Sequence, residues 1–163
     1  EQTHIRPELQ RFHEGRETTL APNDFVYPMF FNAALSEARP IGTMPGVEQL
    51  PISDAGKTAK MLKERHVSSV ILFGLPKQKD PRGEAACDPN GPVPRAVAAM
   101  KDAAPEVCVM TDTCVDEYTD HGHCGILKTD AHGDVVVDND ATLDVLARSA
   151  LAQARAGADV VAP

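Results

Sequence analysis

Between Thr111 and Leu127 the chain reads TDTCVDEYTDHGHCGIL, bringing together two of its four cysteines, two of its six histidines and four acidic side chains. Cys114 and Asp116 are two apart, so an extended backbone points both to one side. Cys124 returns after seven intervening residues, and Gly122 and Gly125 supply the backbone freedom for a sharp fold-back. Two thiolates and a carboxylate are a workable set for Zn²⁺ with its fourth position left open. A pair of buried free thiols explains the same spacing about as well, because C-x-D-x₇-C is a loose pattern. His123 is a candidate auxiliary ligand, against the simpler alternative of a loop histidine held by backbone, and His121 is read as structural. Asp112 stands at the end of the strand that the apolar run Val107–Met110 begins. There a carboxylate can orient an amine or assist proton transfer, or else cap the donors of the loop.

Something must hold such a loop at the end of a sheet. Phe25–Phe31 is rich in strand formers, although Pro28 cannot donate to a ladder. Pro40–Pro51 is a turn-rich loop. A helix follows with Ser53 as its N-cap and Ala55, Ala59 and Leu62 on one face. Ser69–Gly74 is an apolar run expected to be a strand buried on both faces, and Pro76–Asn90 a long polar loop. Pro92 opens a helix in which Val93, Ala96, Val97, Met100 and Ala104 share a stripe until Pro105. Val107–Thr111 is the third strand. Ile126–Lys128 and Val135–Val137 flank a small hairpin turn. A helix from Asn139–Asp140 is expected to bury Leu143, Leu146, Ala147, Ala150 and Ala154, with Gly157 just past its end. Asp159–Pro163 begins a fourth strand. Alternating strands and helices indicate parallel βαβ units, closed either as a doubly wound sheet or as a (β/α) barrel. No strand is followed by G-x-G-x-x-G or a Walker-type loop, which disfavours the nucleotide-binding sheet.

At 163 residues, 42% hydrophobic and 25% charged, the chain is sized and composed for one globular domain. Between Asp112 and Asp144 nine acids face Lys128 alone, which accounts for the whole net charge of −8. Nucleic acid is therefore not expected as a partner, since phosphate binding wants a basic stripe. No run is long and apolar enough to span a bilayer, and the polar N-terminus lacks a signal-peptide centre, so the expected location is the cytoplasm, with the cysteines as thiols or ligands and no membrane partner.

The segments Asn23-Asp-Phe-Val-Tyr-Pro-Met-Phe30, Met44-Pro-Gly-Val47, Val70-Ile-Leu-Phe-Gly-Leu-Pro76, Lys79-Asp80, Thr111-Asp-Thr-Cys114, Glu117-Tyr-Thr119, His121-Gly-His-Cys-Gly125 and Ala156-Gly-Ala-Asp-Val-Val-Ala-Pro163 run nearly end to end. Together they resemble the N-terminal half of the porphobilinogen synthase (5-aminolevulinate dehydratase) family. The resemblance implies a (β/α)₈ TIM-type barrel, with residues 1–22 as an N-terminal arm and 23–163 as the first half of the barrel, about four strands. It also implies a homo-oligomer, commonly an octamer, assembled through that arm, and condensation of two 5-aminolevulinate molecules to porphobilinogen in tetrapyrrole synthesis. Cys114 and Cys124 match the first and third cysteines of the family's zinc motif, Cys-x-Cys-x₇-Cys, with Asp116 where the second would stand. Magnesium-dependent members carry Ala, Asp and Asp at these places, so the chain is a hybrid in which two thiolates favour Zn²⁺ over Mg²⁺. Asp112 matches an acidic residue lining the active site. The family's two Schiff-base lysines would lie beyond Pro163, and none of the seven lysines present follows an apolar strand as such a nucleophile requires. The rival readings are a non-catalytic zinc-binding or assembly module and another Schiff-base aldolase barrel.

Overall fold

The computed structural model describes residues 21–163; the arm expected over 1–22 lies almost wholly outside them. Strands β1 (Val26–Asn32), β4 (Ser69–Leu75), β5 (Cys108–Asp112) and β8 (Val160–Ala162) lie side by side in chain order, each parallel to the next. The crossovers carry helices α1 (Ala55–Glu64), α2 (Pro92–Ala103) and α3 (Asn139–Arg155). The stretch expected to be only a loop also contributes β2 (Arg39–Pro40) and β3 (Glu48–Pro51). These extend the sheet beyond β1, β3 parallel to it and β2 antiparallel to β3. A separate two-stranded ribbon, β6 (Leu127–Thr129) with β7 (Val135–Val137), forms the expected hairpin.

Each helical crossover advances by one strand in the same direction, and all three helices cover the same face. That is how a barrel winds; a doubly wound sheet reverses and covers both faces. The main core lies between that face and the helices: Met29, Phe31, Val70, Leu72 and Val109 from the strands meet Ala55, Ala59, Leu62, Val93, Ala96, Val97 and Met100. On β4 the buried Val70, Leu72 and Gly74 alternate with half-buried Ile71 and Phe73. The strand is thus covered on one face, not two, because no second layer packs on the other among the described residues. On that open face Phe30 stacks on its cross-strand partner Phe73, centroids 5.1 Å apart. Pro28 precedes the Phe30–Asn32 stretch that pairs with β3, so β1 has a partner on only one edge there and the missing donor can face away from the ladder.

Helix ends follow their local chemistry with one departure. The N-cap of α1 is Asp54, after a 3-10 turn over Ile52–Asp54, and not Ser53. Pro92 occupies the first position of α2. The Asp138 carboxylate accepts from the Ala141 amide to cap α3. At the far end of α3 the Ala158 amide reaches Gln153 O at 3.2 Å and the Gly157 amide reaches Ala154 O at 3.0 Å. Gly157 has φ +103°, completing a Schellman cap.

The larger departure concerns which face α3 buries. Thr142, Val145, Ser149, Ala152 and Gln153 are inward. Of the expected stripe, Leu143, Ala147 and Ala154 are exposed and Leu146 and Ala150 half-buried. Apolar periodicity chose the wrong stripe: on the inward face Gln153 accepts from the Thr111 and Thr113 hydroxyls and Thr142 from the Ile126 amide.

Candidate metal centre

Thr111–Leu127 leaves the sheet at the C-terminal end of β5, the end at which barrel folds place their chemistry. It is a packed loop, not an open one. The Tyr118 and Thr119 amides both turn back to Val115 O, at 2.9 and 2.8 Å. This single turn buries Val115 and Tyr118 in a second apolar cluster with Ala86, Ile126 and Val145. Asp116 and Glu117, between the two anchors, are thereby thrown back toward Cys114 and Asp112. Tyr118 can settle there because Gly74 has no Cβ; a methyl at that position would collide with the Tyr118 hydroxyl and the Val93 side chain.

The return limb is built by Gly122, at φ +72°, and by Thr119, whose hydroxyl donates to His123 O at 2.9 Å. The loop over Pro76–Asn90, stiffened by a 3-10 turn at Glu84–Cys87, lies alongside. Asp80 and Thr119 form a parallel bridge, Lys79 Nζ donates to Asp116 O at 3.3 Å, and a His121 ring nitrogen lies 3.2 Å from Pro81 O.

In this fold Cys114, Asp116 and Cys124 each offer a ligand atom within 4.8 Å of the other two. A tetrahedral zinc with bonds of about 2.3 Å needs ligands roughly 4 Å apart, so small side-chain adjustments close the set. The chemistry of the donors also fits: two sulfurs and one oxygen suit a borderline cation, and Cys124 is exposed enough for an ion to enter. A second group, Asp112, Asp116 and Glu117, meets the same distance and shares Asp116 with the first. His123 belongs to neither group; it is exposed, and its amide donates to His121 Nδ1 at 3.1 Å.

Burial and neighbouring acids set the electrostatics of the site. Burial pushes the Cys114 thiol up to about 12; a hydrogen bond from the Asp116 backbone opposes this, while the Asp116 carboxylate and Cys124 add to it. Burial first, then the Asp116 and Asp112 charges, push Glu117 up to about 8. Asp112 is raised by burial and by Asp116, against an opposing hydrogen bond from the Cys114 amide. A divalent ion would favour the ionised form of every one of these groups, so binding would release protons. Glu117 lay unassigned within a run of acids in the sequence; only the turn at Val115–Thr119 sets it beside Asp112.

The family model described as delta-aminolevulinic acid dehydratase matches residues 4–163. The chain belongs to the delta-aminolevulinic acid dehydratase family. It is 47% identical to the family member of Methanothermobacter thermautotrophicus over 150 residues, which are 91% of this chain and 44% of that protein. It is 45% identical to the Synechococcus elongatus member over 149 residues, 91% of this chain and 45% of the relative. Among solved structures it resembles the delta-aminolevulinic acid dehydratase (porphobilinogen synthase) of Toxoplasma gondii in complex with the reaction product porphobilinogen. The TM-score is 0.80 at 30% identity, covering 97% of this chain and 46% of that one. The α/β architecture is accordingly a partial TIM-type barrel, and the chain spans under half the length of these relatives.

Proposed function

We propose that this chain is the metal-binding half of a porphobilinogen synthase, a dehydratase that condenses two 5-aminolevulinate molecules to porphobilinogen with loss of water, in tetrapyrrole synthesis. The observation that carries the reading is the convergence of Cys114, Asp116 and Cys124 at the C-terminal end of a barrel-type strand, beside Asp112 and Glu117. In this reading the metal is Zn²⁺, because two sulfur donors outweigh one carboxylate; Mg²⁺ would want oxygens throughout. The ion would be held by Cys114, Asp116 and Cys124. When bound it supplies Lewis acidity toward a substrate oxygen or amine and toward water.

The chain's own residues do the rest of what is assigned to it. Asp112 faces the site from the strand end and holds the amino end of a substrate. Glu117, whose carboxyl burial and its acidic neighbours raise, stands beside Asp112 and Asp116 at the edge of the same space. The Val115 and Tyr118 anchors exclude water from beneath the loop. The imine-forming lysines of this reading lie outside residues 1–163. Six lysines here are exposed, and the seventh, Lys101, is held by Asp159 at 2.9 Å and by the Pro105 and Val107 carbonyls. A homo-octamer and a cytoplasmic setting belong to the same reading; the four free thiols suit a reducing compartment.

The test is a segment swap. Residues 4–163 replace the matching part of the Methanothermobacter relative, and porphobilinogen formation from 5-aminolevulinate is followed together with zinc content. The expected result is an active chimera with about one zinc per chain, and loss of both when Cys124→Ala is introduced. A folded chimera that makes no porphobilinogen overturns the proposal, as does one whose activity survives the substitution.

A further inference from the structure

Two buried polar side chains of α3 have no part in the apolar core, and both end on the metal loop. Gln153, 2% exposed, accepts at Oε1 from the Thr111 and Thr113 hydroxyls at 2.9 and 3.1 Å, and its Nε2 donates to Asp112 O at 2.8 Å. A single amide therefore grips three consecutive residues at the point where the chain leaves β5, one residue before Cys114. Thr142, 8% exposed, accepts at Oγ1 from the Ile126 amide at 2.9 Å and donates to Asp138 O at 2.7 Å. It holds the other limb two residues after Cys124. Gly125 permits this approach: a Cβ there would lie 2.9 Å from the Thr142 hydroxyl and 2.8 Å from Val137.

The two residues are eleven apart, which is three turns of helix, so they lie on one face about 16 Å apart along the axis. This is the face that apolar periodicity assigned to solvent. A helix that turns Leu143 and Leu151 outward, 55% and 49% exposed, while burying an amide and a hydroxyl, is oriented by those polar groups.

We propose that α3 is the positioning element of the metal loop, with Gln153 fixing the Cys114 limb and Thr142 the Cys124 limb, so that the helix sets the separation of the two sulfurs. The importance for metal binding rests on the reading of Cys114, Asp116 and Cys124 as ligands; the control of sulfur separation does not. Side chains that orient a ligand without touching the metal typically matter 10- to 100-fold in affinity.

The experiment compares the full chain with its Gln153→Met, Thr142→Val, Thr142→Ser and Cys124→Ala variants, all checked for a cooperative melt. Co²⁺ affinity is read from thiolate-to-cobalt charge-transfer absorbance. In the metal-free proteins, the rate of Cys114–Cys124 disulfide formation with diamide reports sulfur separation directly. Gln153→Met and Thr142→Val are each expected to weaken cobalt binding and slow crosslinking about tenfold. Thr142→Ser, which keeps the hydroxyl, restores both. Folded Gln153→Met and Thr142→Val proteins with wild-type cobalt affinity and crosslinking rate would overturn the proposal, as would a Thr142→Ser that behaves like Thr142→Val. A wild-type chain that binds no cobalt, or a Cys124→Ala that binds it equally well, instead removes the ligand reading, and crosslinking alone then decides the positioning role.

Discussion

Glu117 comes within 4.8 Å of Asp112 and Asp116, and three carboxylates cannot all stay ionised in so small and half-buried a space. Its carboxyl titrates near 8 in the folded chain against an ordinary 4.5. The folded state therefore holds this proton more tightly than the unfolded state. Its contribution to stability is fully present below about 4.5 and is lost as pH rises toward 8. Glu117→Gln removes that loss. In the metal-free chain it is expected to add on the order of 1 kcal/mol at pH 8, after allowance for solvent screening, and close to nothing at pH 4.5. Urea melts of variant and wild type at the two pH values measure the difference; an equal effect at both would show that Glu117 is not raised. At this scale the sequence was partly legible. Cys114, Asp116 and Cys124 were readable from spacing and family resemblance. Glu117 was not, because only a turn closed by Val115 tells it apart from its acidic neighbours.

For α3, the start, the end and Gly157 at the terminus follow from sequence, but the buried face does not. Ala and Leu occur all round this helix, so several stripes score alike, and the choice falls to Gln153, Ser149 and Thr142 through the bonds they make. Two substitutions separate the faces. Val145 is fully buried against Val115 and Tyr118, and Val145→Ala is expected to cost about 2 kcal/mol by opening a cavity. Leu143, 55% exposed, is expected to tolerate Leu143→Gln within about 0.5 kcal/mol. Chemical denaturation of both variants checks the assignment; the reverse order would restore the stripe that periodicity suggested. The loop beside the helix is tied to it as well. Arg148 spans to Glu84 with two contacts, at 2.9 and 3.2 Å, and to Asp144 at 3.0 Å, joining α3 to the Pro76–Asn90 loop.

Over the whole molecule, the sheet has one face under helices and one face open. Phe30, Phe73, Ile71 and Met110 lie half-buried on the open face, and Val26, on the same side of β1 as Phe30, is exposed. A contiguous apolar surface of this kind is a site of association. The 163-residue chain is expected to self-associate at micromolar concentration and to bind a hydrophobic dye. Light scattering and dye fluorescence test this, and a monodisperse monomer with no dye binding would mean that the open face is covered in some other way. The same geometry explains why Ser69–Gly74 reads as buried on both faces. Its composition suits a closed barrel, of which the described residues form an arc.

By itself the sequence determined the alternation of strands and helices, most element boundaries and the family, and it offered Cys114, Asp116 and Cys124 as a candidate ligand set. These depend on local chemistry: strand-forming runs, proline and glycine at helix ends, and a ligand spacing carried within one loop. Only the tertiary structure decided which face α3 turns inward, that β3 joins the sheet beside β1, and that Glu117 stands with Asp112 and Asp116. Each of these depends on groups distant in the chain meeting in space, where burying a hydrogen-bonding group without a partner costs more than leaving a leucine in water.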